Sequence, residues 1–195
     1  MKKLMFLVSV FLVVSSPIQA QGKRFNAGVV AGLNFSELEG NSVTDYFGLN
    51  AGIVGNARLS KHSQVGMELL FSQNGEYVLP TYYPALEYGK IRLNHIEIPV
   101  HFDWLIGIFQ RKKFCDWNLN LGVAYTRLIG YKAYDVFKED VTKQIVYGKK
   151  DAFLLQAGTI YQFTPKIGLN FKACLPIRAT GLGWTLQARL IYMFL

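Results

Sequence analysis

The sequence predicts an all-β fold: an eight-stranded antiparallel up-and-down transmembrane β-barrel with a side-chain-filled lumen. Three observations predict it. Hydropathy alternates with period two in eight successive segments. Beyond residue 20 no apolar run approaches the roughly 20 residues that a membrane-spanning helix needs. The polar faces of the eight segments carry glycine and carboxamides far more than Lys or Glu.

The chain of 195 residues suits one domain. Residues 1–20 read as a signal peptide and 21–195 as the barrel. Lys2 and Lys3 form a positive start, Leu4 to Val14 an apolar run, and Ser15 to Ala20 a cleavage region, with the cut expected after Ala20. This places the mature chain outside the cytoplasm, in the cell outer membrane. Loss of Lys2 and Lys3 lowers the net charge from +8 to +6. The excess charge reads first as solvated loop charge; as a partner, anionic lipid headgroups suit an exported chain better than nucleic acid.

Each strand has one apolar face. The first runs Phe25, Ala27, Val29, Ala31, Leu33, Phe35 against Asn26, Gly28, Gly32, Asn34. The second runs Phe47, Leu49, Ala51, Ile53, Ala57, Leu59 against Gly48, Asn50, Gly52, Asn56, Arg58. The third sets Val65, Met67, Leu69, Phe71 against Gln64, Gly66, Glu68, Leu70. The fourth sets Ile96, Ile98, Val100, Phe102, Trp104 against His95, Glu97, Pro99, His101, Asp103. The fifth sets Trp117, Leu119, Leu121, Val123, Tyr125 against Asn118, Asn120, Gly122, Ala124, Thr126. The sixth sets Phe153, Leu155, Ala157, Thr159, Tyr161 against Leu154, Gln156, Gly158, Ile160. The seventh sets Ile167, Leu169, Phe171, Ala173, Leu175 against Lys166, Gly168, Asn170, Lys172, Cys174. The last sets Trp184, Leu186, Ala188, Leu190, Tyr192, Phe194 against Thr185, Gln187, Arg189, Ile191.

The sense of the barrel follows from these faces. None of the apolar faces carries a charge, and an Arg or Lys facing lipid at mid-membrane costs about 2–4 kcal/mol. Trp104, Trp117, Trp184, Tyr192 and Phe194 sit at strand ends, where interfacial aromatics belong. Inward glycines suit a narrow eight-stranded lumen that side chains fill. Short links near 60–63 and 164–165 alternate with long ones at 36–46, 74–90 and 131–150. The latter are expected as outer loops together with a short one at 179–183. Residues 106–115 form an unusually long, basic inner turn.

The arrangement resembles the PorT-like outer-membrane β-barrel proteins of the Bacteroidota type. The resemblance rests on Gln19-Ala20-Gln21, on the first strand from Phe25 to Phe35, and on His95-Ile96-Glu97-Ile98-Pro99-Val100. It covers essentially the whole mature chain and implies fold and location. One namesake takes part in type IX secretion. Members usually end on an aromatic residue that the barrel-assembly machinery recognises; here Phe194 is penultimate.

Pro99 cannot donate to a ladder, so a bulge or break is expected there. The apolar phase slips between Leu93 and Ile96, which suggests a second irregularity near Asn94. Inside, Glu68 and Glu97 are expected at mid-barrel facing Lys172 and Arg189, with Arg58, His101 and Asp103 nearer the periplasmic end. These residues form a candidate lumen charge network, since an unpartnered buried charge is costly. His95, Glu97, His101 and Asp103 are metal-ligand types, but alternate residues on one strand stand about 7 Å apart and four cannot share an ion. Cys115 and Cys174 are expected about 25 Å apart along the barrel, beyond the reach of about 7 Å for a disulfide. No cofactor, metal or catalytic set is expected. The functional expectation is a non-enzymatic structural or accessory component of an envelope assembly, with lipid, the assembly machinery and a possible envelope protein as partners. The alternatives are an outer-membrane enzyme with a rim site at His95 and a soluble lipocalin-like ligand-binding barrel.

Overall fold

Alternating segments rich in Val, Ile and aromatic residues form strands because one face packs while the backbone pairs sideways. In the computed structural model the described residues are 24–38, 44–78, 89–106, 117–134, 150–177 and 182–194. The strands are β1 (Phe25–Leu38), β2 (Thr44–Arg58), β3 (Ser63–Val78), β4 (Gly89–Ile106), β5 (Trp117–Tyr134), β6 (Asp151–Gln162), β7 (Ile167–Pro176) and β8 (Leu182–Met193). Each pairs antiparallel with its sequence neighbour, and β8 closes on β1 from Gly28↔Met193 to Leu38↔Leu182. The expected signal segment, Cys115 and the basic turn from 107 onward lie outside the described residues.

Two tight hairpins mark one end, called here the hairpin end. Between β2 and β3, the Leu59 and Ser60 amides both donate to the Ser63 carbonyl. Between β6 and β7, the Lys166 and Ile167 amides donate to the Thr164 hydroxyl. The opposite end is the loop end. There the strands outrun the expected loop boundaries: β3 continues to Val78, β4 starts at Gly89, and β5 reaches Tyr134. Similarly β1 extends to Leu38, β2 begins at Thr44, and β8 begins at Leu182. Backbone pairing persists past the apolar outer band, so a boundary drawn from apolar alternation stops short.

The apolar faces point outward. Ile53, Leu121, Leu155 and Leu190 are 57%, 49%, 46% and 52% exposed, whereas Glu97, Asn170 and Arg189 are buried within. This excludes the soluble lipocalin-like barrel, whose apolar face would point in. Aromatic pairs bracket the band. Trp117–Tyr161, Phe102–Trp104 and Tyr192–Phe194 lie toward the hairpin end. Phe35–Phe47 and Tyr125–Phe153 lie toward the loop end, and Trp184 is exposed there. From Trp117 to Tyr125 is about 27 Å along the strand before tilt. Just beyond Tyr125 the outer face carries its first charges, an exposed Arg127–Asp151 pair at 3.5 Å.

The irregularity expected near Asn94 is present, since the β4–β5 register shifts between Asn94 and His95, but the change of apolar phase in β4 has another origin. Inward and outward sides keep alternating through Asn94, and Ile91 and Leu93 point inward. They join Ala124, Ala152, Leu154 and Cys174 in an apolar cluster inside the barrel. The apolar residues changed faces; β4 did not slip. The bulge opposite Asn94 belongs to β5, where Asn94↔Gly130 is followed by His95↔Leu128 and Ile129 is the extra residue. At Pro99 the β3 ladder is interrupted between Met67↔Val100 and Leu70↔Glu97 without any change of register. On the other side Pro99↔Ala124 stays in the β5 ladder.

Candidate functional site

The lumen is the chemically distinctive part of the molecule. Inward alternation brings Glu68 from β3, Lys172 from β7 and Arg189 from β8 together. Arg189 donates from Nη1 to Glu68 Oε2 at 2.6 Å and from Nη2 to Oε1 at 3.2 Å. Its Nε and Nη2 also reach Asn170 Oδ1 at 2.9 and 2.6 Å. Lys172 Nζ donates to Glu68 Oε1 at 3.2 Å and to Gln156 Oε1 at 3.4 Å. His101 stands 3.7 Å from Glu68 and 3.6 Å from Asp103, and Gln64 donates to Asp103 Oδ2 at 2.7 Å. Glu97 accepts from Gln187 Nε2 at 3.5 Å. The side chains of Glu68, Lys172 and Arg189 are 3%, 1% and 0% exposed, so this cluster crosses the lumen and fills it.

Arg58 does not join the cluster. It sits exposed at the hairpin end, where the last residue of β2 has passed the narrow part of the lumen. His95, expected in the upper half, is 3% exposed and enclosed by the wall, so it offers no base at an open rim. Among the described residues no three His, Cys, Asp or Glu side chains are grouped to hold an ion. Cys174 is a buried free thiol. Of the expected interfacial aromatics, Trp104, Trp184, Tyr192 and Phe194 are 52%, 37%, 42% and 60% exposed, and Trp117 is partly exposed against Tyr161.

Toward the loop end polar side chains of β1 reach β3 across the inside of the barrel. Asn34 of β1 donates to Ser72 Oγ, the Gln73 carbonyl and Asn74 Oδ1, all on β3. Ser36 and Gly75 exchange hydrogen bonds in the same way. These contacts pass behind β2, which is possible because Gly48, opposite Asn34, has no side chain. A Cβ there would collide with the Gln73 carbonyl.

At the hairpin end a cavity of about 230 Å³ opens beneath the charge cluster. Arg24, Arg58 and Lys166 line it with a set of carboxamides, and among the described residues no carboxylate lines it. Sequence reading placed Asn118, Asn170 and Gln187 on the inward faces but could not say which of them meet. It placed Lys166 on the inward face of the seventh strand without singling it out, and it missed Arg24, which shares the inward parity of β1 one residue before the strand.

The family model for the outer membrane protein beta-barrel domain matches residues 19–181. The chain belongs to this family. As an outer-membrane β-barrel it sits in the lipid bilayer, and the exposed aliphatic band between the aromatic pairs is its lipid-facing surface. The crystal structure of Ail, the attachment invasion locus protein of Yersinia pestis, is similar with a TM-score of 0.52 and 10% identity, covering 88% of this chain and 100% of that one. Ail in complex with the heparin analogue sucrose octasulfate gives 0.50 and 8%, with 88% and 100% covered. Neisserial surface protein A gives 0.47 and 13%, with 88% and 98% covered. Identities this low show the fold alone. No curated protein sequence matches the chain.

Proposed function

We propose that this protein is a non-enzymatic outer-membrane barrel that serves as a structural or accessory component of a larger envelope assembly. The observation that carries the reading is the Glu68–Lys172–Arg189 cluster, which closes the lumen with the protein's own side chains. Eight strands enclose a lumen about wide enough for side chains to fill, and here they fill it. What the barrel offers is therefore its two ends and its lipid face. The PorT-like resemblance suggests a secretion assembly as the process. The export reading belongs to the same proposal: a signal cut after Ala20 leaves Gln21 first, and the barrel-assembly machinery inserts the chain through its β8 end near Phe194.

Crosslinking in intact cells, followed by identification of the captured proteins, tests the reading. A reproducible envelope complex is the expected result. Purified protein in planar bilayers should give no steady conductance; a stable, ion-selective open channel would overturn the scaffold reading. N-terminal sequencing of the membrane-extracted protein should begin at Gln21.

A further inference from the structure

The cavity at the hairpin end has a composition that the scaffold role does not require. Arg24 and Arg58 are adjacent there, with the Arg58 amide donating to the Arg24 carbonyl at 2.7 Å. Lys166 is held from the other side, its carbonyl accepting from the Met193 amide at 2.7 Å. All three side chains are exposed, and among the described residues none is paired with a carboxylate. The wall between them presents carboxamides with unmet hydrogen bonds. Asn118 is 1% exposed and has partners for neither Nδ2 nor Oδ1. The buried Oδ1 atoms of Asn26 and Asn56 also lack donors. The floor is aliphatic, formed by Leu105, Ile160 and Ile191.

Each part of this lining selects a different part of a ligand. Three cations without a counter-charge select an anion. Orphaned amide oxygens accept from hydrogen-bond donors, which a fully ionised anion does not carry, and the free Asn118 Nδ2 donates to an oxygen. The aliphatic floor selects a small apolar side chain. A volume of about 230 Å³ falls below the roughly 300–1,000 Å³ of pockets for drug-sized molecules, so it suits the end of a chain rather than a whole ligand. We propose that this mouth binds the C-terminal carboxylate of a peptide, with the carboxylate on Arg24, Arg58 and Lys166 and the last peptide N–H groups on the Asn side chains. The ligand's source rests on the reading that this end faces the periplasm. Two sources share the chemistry there: a cell-wall stem peptide ending in a D-residue, and the L-terminus of a periplasmic protein.

The test uses the full mature chain refolded in a non-ionic detergent and titrated calorimetrically with acetylated tripeptides ending in alanine. The free acid should bind, and the C-terminal amide should bind at least about tenfold more weakly, as loss of a charge-assisted contact implies. Arg58→Ala and Asn118→Ala should each weaken the acid about tenfold. Neither substitution removes a hydrogen bond of the described fold, and unchanged heat-modifiable migration on gels shows that the barrel is intact. A preference for the D- or the L-terminus identifies the source. Failure of the acid to bind, equal binding of acid and amide, or displacement by inorganic phosphate at the same concentration would overturn the site. The conductance and crosslinking results are independent of that failure, so the scaffold reading stands or falls separately.

Discussion

Replacing Glu68 by Ala probes the centre of the molecule. The carboxylate accepts from Arg189 at 2.6 and 3.2 Å and from Lys172 at 3.2 Å. The partners' side chains are 0% and 1% exposed, so the small value of an exposed ion pair does not apply. Removing one member of a buried pair typically costs about 3–5 kcal/mol, because the remaining charge is left uncompensated. Here two cations lose their shared partner, which argues for the top of that range. Arg189 keeps Asn170 and Lys172 keeps Gln156, which pulls the loss back toward about 3 kcal/mol. Glu68→Gln retains an oxygen acceptor and should lose about half as much. Equilibrium unfolding by urea in lipid vesicles, followed by tryptophan fluorescence and by the gel shift of folded barrels, measures these losses. A double-mutant cycle of Glu68→Gln with Arg189→Gln should give a coupling of about 1–3 kcal/mol. A loss below about 1 kcal/mol for Glu68→Ala, together with zero coupling, would show that the lumen is hydrated enough to screen the pair and would refute the reasoning.

Three other outcomes are expected. Leu121→Arg places a charge on the lipid face between Trp117 and Tyr125 and should cost about 2–4 kcal/mol in vesicles, whereas Leu121→Ala should cost far less; equal losses would contradict the lipid-facing assignment. Gly48→Ala drives a Cβ into the Gln73 carbonyl and disturbs the Asn34 contacts to β3, so the same unfolding assay should show a loss of about 1–3 kcal/mol. In a Cys115→Ser background, Cys174 should resist maleimide in the folded barrel and react fully after unfolding, since it is 1% exposed; rapid labelling of the native state would show that the apolar cluster around it is open.

Period-two alternation made the strands legible, and the uncharged apolar faces made their outward sense legible. Both are local properties of a segment. The strand ends were not legible, because outside the lipid band the outward face need not be apolar; Ile91 and Leu93 turn inward there while pairing continues to Val78 and Gly89. The bulge near Asn94 shows the same limit. The residues that signalled it are on β4, but the extra residue is Ile129 on β5. Inward parity and height along the strands placed Glu68 at mid-barrel facing Lys172 and Arg189, but which atoms pair depends on the stagger that closes β8 on β1, a property of the whole sheet. Arg58 shares that parity and still lies outside the cluster, because it sits at the last position of β2.

The distribution of charge along the barrel links these features. Among the described residues the buried Asp, Glu, Lys, Arg and His side chains are three carboxylates, Glu68, Glu97 and Asp103, two cations, Lys172 and Arg189, and two histidines. The interior thus holds nearly matched charge in a closed volume, where any exchange of partners would leave one group uncompensated. At the hairpin end the lining cations have no carboxylate among the described residues, and exposure to solvent makes that imbalance inexpensive. At the loop end Arg127 and Asp151 are paired on the surface. On the proposed reading, a plugged interior suits a scaffold rather than a channel, and a mouth of positive charge above carboxamides suits docking. The same strand alternation produces both, because inward residues meet one another where the barrel is narrow and meet solvent where the strands end.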